Sequence, residues 1–143
     1  MTSDNMRQRT FRRMLAREAG TDAHAAAVAV AARRLCERFA QQVIPLIGDT
    51  GVAAILARSL HLVHRNTPGL APRGPSERDG PLGMLQQLLE HQEPTVAADA
   101  AVTMLATVGE LLVSFIGESL TTRLLREAWP DDFAGDTTEE TLT

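Results

Sequence analysis

Lysine and tyrosine are absent from this chain, and cysteine occurs once. The single thiol, Cys36, excludes an intramolecular disulfide and any multi-cysteine zinc or iron–sulfur site. Aromatic residues make up 3% of the sequence, too few for the stacking platforms on which single-stranded nucleic-acid modules rely. A net charge of −4 supplies no overall basic footprint, so nucleic acid is not an expected partner. The sequence contains no Gly-rich phosphate loop, no G-x-S-x-G elbow and no H-E-x-x-H pair. These absences lower the expectation of an enzyme, and no catalytic residue, cofactor or metal site is assigned from the sequence. No segment alternates apolar and polar residues with period two, so no strand is expected.

Targeting signals are also lacking. The basic N-terminus is followed by no apolar core of a signal peptide. The most apolar stretch, Val96 to Gly117, has the length of a membrane span but carries Asp99 and Glu110. An acid at the centre of such a helix costs ~2.5–3.5 kcal/mol on insertion. The expectation is a buried helix of a cytoplasmic protein, with no membrane span.

What is present is ordinary globular chemistry: 143 residues, 44% hydrophobic and 22% charged, the size of one domain. All 14 basic residues are arginine, and with the abundant alanine this points to GC-rich codons and a bacterial source. Charge is unevenly spread. Residues 1–20 form a basic segment with Arg7, Arg9, Arg12, Arg13 and Arg17, whereas residues 131–143 form an acidic tail expected to be disordered. Between them, residues 21–130 read as one helical domain, with a Pro/Gly-rich flexible linker at 66–81.

Apolar spacing of three and four residues predicts the helices. A short basic helix covers Met6–Glu18, with Phe11, Met14 and Leu15 on one side. A long helix over Ala23–Ile47 carries Leu35, Phe39 and Val43, and Pro45 near its end should kink or stop it. Gly51–Arg65 follows, with Val52, Ile55, Leu56 and Leu60 inward. After the linker, Pro81–His91 begins with proline at its first position. A helix from Pro94 or Thr95 to Ile116 is apolar on nearly every side, and Ser119–Trp129 closes the domain. The expected core comprises Leu35, Phe39, Val43, Ile55, Leu56, Leu60, Leu105, Leu112, Ile116, Leu120 and Leu124.

An internal match is the most informative pattern. Leu46-Ile47-Gly48-Asp49-Thr50 corresponds to Phe115-Ile116-Gly117-Glu118-Ser119, and at the same offset Ile55-Leu56 falls on Leu124-Leu125. Each half reads as apolar helix, aliphatic-Ile-Gly-acid-hydroxyl corner, apolar helix. The expected architecture is therefore an all-α, four-helix bundle-like domain of two duplicated helix–corner–helix units, plus the short N-terminal helix and the short helix after the linker. Gly48 and Gly117 should supply the corner backbone angles, while Asp49 and Glu118 with their hydroxyl neighbours cap the following helices.

Few residues stand out chemically. His61 and His64 share the third helix and lie close enough around it to meet one ion, but no carboxylate joins them, and solvated histidines beside Arg58 and Arg65 are the simpler account. The sequence after His61 also fails to match the pattern of histidine phosphotransfer domains. Glu110 belongs to a polar stripe with Asp99, Thr103, Thr107, Ser114 and Glu118. If its helix is central, Glu110 needs a partner such as Arg34 or Arg38. Leu125 and Trp129 lie off the face set by Leu120 and are the expected seam of a homodimer, unless the N-terminal helix folds back over them. The functional expectation is a non-catalytic helical interaction module in bacterial regulation or signalling, oligomeric and with a possible further protein partner. The alternative is a small-ligand sensor with an apolar pocket between the helical hairpins.

Overall fold

A computed structural model describes residues 2–20, 24–66 and 80–133. Among the described residues all regular structure is helical: α1 (Thr2–Ala19), α2 (Ala25–Asn66), α3 (Gly80–Glu90), α4 (Pro94–Ile116) and α5 (Glu118–Ala128). The all-α expectation holds. Most of the expected linker, residues 67–79, and the tail from residue 134 lie outside the described residues, as do residues 21–23. At the start of α2 the imidazole of His24 caps the helix, its Nδ1 accepting a hydrogen bond from the Ala27 N–H at 3.2 Å.

α2 is two helical arms joined at Gly48, whose backbone (φ 83°, ψ 167°) departs from helical geometry. Gly117, between α4 and α5, has nearly the same backbone angles (φ 94°, ψ 163°). That region is open essentially to glycine alone. Pro45 does not end the first arm; the break falls at Gly48, three residues on. The expected caps are not formed at Gly117. Glu118 and Ser119 make no side-chain cap bond at the start of α5; the Glu118 carboxylate accepts a hydrogen bond from Arg7 instead.

Shared depressions fix the helix directions. Val28 lies with Ala98, Phe39 and Val43 with Val108 and Leu112, and Ile47 with Ile116. The first arm of α2 and α4 therefore run side by side in the same direction, with both glycine corners at one end. α3 packs mainly on α2, and α1 packs on both α4 and α2. Two helices, α2 and α4, are long and apolar enough to cross a membrane, and 56% of the apolar window of α4 is buried against the rest of the fold.

Nine of the eleven expected core residues are buried, while Ile116 and Leu120 near the corner are half-exposed. The core also takes in α1, through Phe11, Met14 and Leu15. Phe11 meets Trp129 and Phe133 edge-on at 6.4 and 5.8 Å, and Phe39 lies 5.8 Å from Trp129. Four of the five aromatic side chains thus form one cluster where α1 crosses the end of α5. The N-terminal basic segment is therefore part of the packed fold, not an appendage. The expected tail also starts too early: Asp131–Phe133 continue in a helical turn, because Phe133 packs into the aromatic cluster and Asp132, its side chain 7% exposed, pairs with Arg17 at 2.6 Å.

Ion pairs tie α1 to the second half of the chain. Arg7, itself buried, donates to Glu118 and to the Thr122 hydroxyl. Arg12 reaches Asp99 at 2.9 Å. Hydrophobic burial on one side and charge pairing on the other explain why a helix rich in arginine docks instead of remaining in solvent.

Candidate functional site

The residues singled out by sequence do not converge. His61 and His64 are both exposed on the second arm of α2, and no group of three or more His, Cys, Asp or Glu side chains is placed to hold a metal among the described residues. Glu110 is exposed on the solvent side of α4. It therefore needs no buried partner, and Arg34, one of the two proposed partners, pairs with Glu18 instead at 3.7 Å. Along the same stripe the Thr103 and Thr107 hydroxyls donate to the carbonyls of Asp99 and Thr103, one turn earlier. That is the ordinary behaviour of a hydroxyl on a helix surface.

The expected dimer seam is corrected outright. Leu125 and Trp129 are buried within the chain: α5 packs on α2 and α4, and Phe11 of α1 meets the Trp129 ring at 6.4 Å. Cys36 is also buried, and burial pushes its thiol up to about 12. A thiol that holds its proton at neutral pH is no nucleophile. It borders a cavity of about 10 Å³ lined by Phe39, Val43, Ile55, Leu105 and Leu112, room for about one water molecule and not for a ligand.

The open surface lies elsewhere, at the corner end. Phe115 is 71% exposed and Leu46 50% exposed. These are the residues two positions before Gly117 and Gly48, so the chain shows a large apolar side chain at the same place in each half. Beside Phe115 a groove of about 590 Å³ runs between the second arm of α2 and the end of α4. Ile47, Ile55, Leu111, Phe115 and Ile116 supply its apolar surface, Gly51 and Ala54 its low wall, and Arg58 its charged group. The corresponding positions in the other half are informative: Gly51 and Ala54 match Leu120 and Arg123, larger side chains. A methyl group on Gly51 would come within 3.2 Å of Ile47, so glycine there lets the helix turn lie close to the corner.

Helical periodicity could not find this groove. Gly51, Ala54 and Arg58 read as an unremarkable solvent face, and the signal in the sequence was indirect: at matched positions one half carries small residues where the other carries large ones. A second, shallower depression of about 300 Å³ lies across the same arm, lined by Leu60, His61, His64, Met84 and Leu88. Comparison with family models, with curated proteins and with solved structures finds no match to this chain.

Proposed function

We propose that this protein is a non-catalytic helical interaction module, of the kind used in regulation and signalling, that binds a partner at the corner end of its fold. The observation that carries the reading is the groove of about 590 Å³ with a 71% exposed phenylalanine on its rim. An exposed aromatic residue continuous with an apolar groove is a feature of protein-binding surfaces. The proposal includes a cytoplasmic setting, consistent with the burial of α4.

The proposal also includes an origin by duplication. Its support is the shared glycine geometry at Gly48 and Gly117 and a burial pattern that repeats at the same spacing. Leu35, Phe39, Val43, Ile55, Leu56 and Leu60 are buried in the first half, and so are Met104, Val108, Leu112, Leu124, Leu125 and Trp129 at the matched positions of the second. Self-association, expected from the sequence, would have to use Leu46 and Phe115 now that Leu125 and Trp129 are covered.

A second reading, the small-ligand sensor, is favoured by the size and apolar lining of the groove, which fall in the range of small-molecule sites. Native mass spectrometry of the protein purified from its own cells separates the two. A complex with another chain, lost on Phe115→Glu, supports the interaction module. An added mass of a few hundred daltons, lost on the same substitution, supports the sensor. A bare monomer unchanged by Phe115→Glu refutes both.

A further inference from the structure

We propose that the partner seated in this groove is an acidic amphipathic helix of another protein, recognised by apolar side chains in the groove and by carboxylates against the base-rich arm of α2. This rests on reading the corner end as an interaction surface, and it goes further by naming what the surface recognises.

Charge is the first argument. From Thr50 to Asn66 the chain has no acidic residue, while Arg58, His61, His64 and Arg65 are all exposed along that arm. Arg58, which lines the groove, has no ion-pair partner among the described residues, whereas Arg7, Arg12 and Arg17 of α1 pair with acids across the fold. The acids nearest in sequence to the groove walls, Asp49, Glu110 and Glu118, do not line it, and Glu118 is paired with Arg7. A cation left unpaired beside an apolar cleft sets the sign of the ligand. The same charge argues against a second copy. Two-fold pairing through this arm would place Arg58 and Arg65 of one protomer against those of the other, and like charges in register oppose association.

Shape is the second argument. The groove follows the arm from Gly51 to Arg58, roughly 10–12 Å at 1.5 Å per residue. Two turns of a partner helix fit that length and present apolar residues at i, i+3 or i+4, and i+7, the spacing of helix-in-groove recognition. The next turn of such a helix, continuing along the arm, would place carboxylates near His61 and Arg65.

The test uses the full chain and three probes: a labelled synthetic helix of about 18 residues with leucines at i, i+3, i+4 and i+7 and glutamates elsewhere, the same helix with lysines in place of glutamates, and phosphatidylglycerol vesicles. Fluorescence anisotropy, vesicle co-sedimentation and light scattering are read on wild type, Arg58→Glu and Ala54→Trp. Both positions are exposed, and circular dichroism checks that the variants fold. The expected result is binding of the glutamate helix and not the lysine helix, weakened about tenfold or more by Ala54→Trp, which fills the groove, and by Arg58→Glu, which inverts its charge. Several results overturn the proposal. If both helices bind equally and both are lost on Ala54→Trp, the interaction surface survives and the acidic partner does not. Vesicle binding lost on Ala54→Trp assigns the groove to a lipid surface. A doubled mass lost on the same variant assigns it to a second copy. If no probe binds and no variant changes the mass, the interaction-surface reading falls together with the proposal.

Discussion

Replacing Gly48 or Gly117 by alanine isolates a single physical term. A methyl group built on either glycine meets no atom within 4 Å, so neither substitution makes a clash or removes a contact. What remains is the backbone. At φ 83°, ψ 167° and φ 94°, ψ 163° an L-alanine is held where only glycine is comfortable, at about 1–3 kcal/mol. Lower chain entropy of the unfolded alanine variant offsets ~0.4–1 kcal/mol of that at most. Since the two corners have nearly the same angles, Gly48→Ala and Gly117→Ala should lose the same stability within about 0.5 kcal/mol. Urea titration followed by the fluorescence of Trp129 reads the loss directly, and in heating it corresponds to roughly 2–4 °C per kcal/mol. D-alanine at either position adopts these angles without strain and should recover the loss. A neutral Gly117→Ala beside a costly Gly48→Ala would refute the equivalence of the corners. Failure of D-alanine to recover stability would refute backbone strain as the cause.

Phe39→Ala should cost about 3–5 kcal/mol, because Phe39 lies 2% exposed between Trp129 and the cavity at the centre of the fold. A loss below about 1 kcal/mol in urea titration would mean that the ring is not central to the core. Cys36 makes stability depend on alkaline pH. Its folded thiol is raised by burial from 9.0 to about 12, so the unfolded chain gives up this proton first. The stability present below pH 9 should therefore decline as pH rises from there toward 12. Cys36→Ala should flatten that part of the profile, and an unchanged slope would remove the thiol as its cause. At neutral pH a small neutral alkylating reagent should label Cys36 only in urea-unfolded protein, as mass spectrometry can check.

The helices were legible because their signal is local. Every expected helix exists, since spacings of three and four residues report directly on which side of a helix is buried. The corner glycines were legible for a related reason: the same short block occurs twice. The fate of α1 was harder. Phe11, Met14 and Leu15 announce an apolar face, but nothing local says that it packs beside Trp129 instead of leaving that ring to a second copy. That choice depends on pairs such as Arg7 with Glu118 and Arg17 with Asp132, more than 100 positions apart in the chain. Phe133 shows the same limit. Read by composition it belongs to an acidic tail, and only the aromatic cluster, assembled from three distant segments, draws it inside. Glu110 depended on the same missing information, since it needed a partner only if its helix was central. Apolar residues all round α4 suggested full burial, whereas the neighbouring helices leave its polar stripe in solvent.

The proposed duplication makes the groove easier to understand than either half would alone. Two copies of one helix–corner–helix unit begin with equivalent surfaces, and any use of the fold must break that equivalence. Here the breaks fall on opposite sides. In the second half, Phe11 of α1 packs against Trp129, and Arg7 occupies Glu118 at the start of α5. Leu120 and Arg123 then stand at the positions where the first half has Gly51 and Ala54. The first half keeps glycine and alanine there, and its arm carries exposed bases that nothing in the chain's own packing requires. Core packing constrains both halves in the same way, so it does not explain why small residues and a stretch of bases free of acids, from Thr50 to Asn66, fall on the second arm of α2. A requirement from outside the chain does. Filling the groove from within, with Ala54→Arg copied from the matched position at an exposed site, is therefore expected to leave the fold intact and to abolish partner binding.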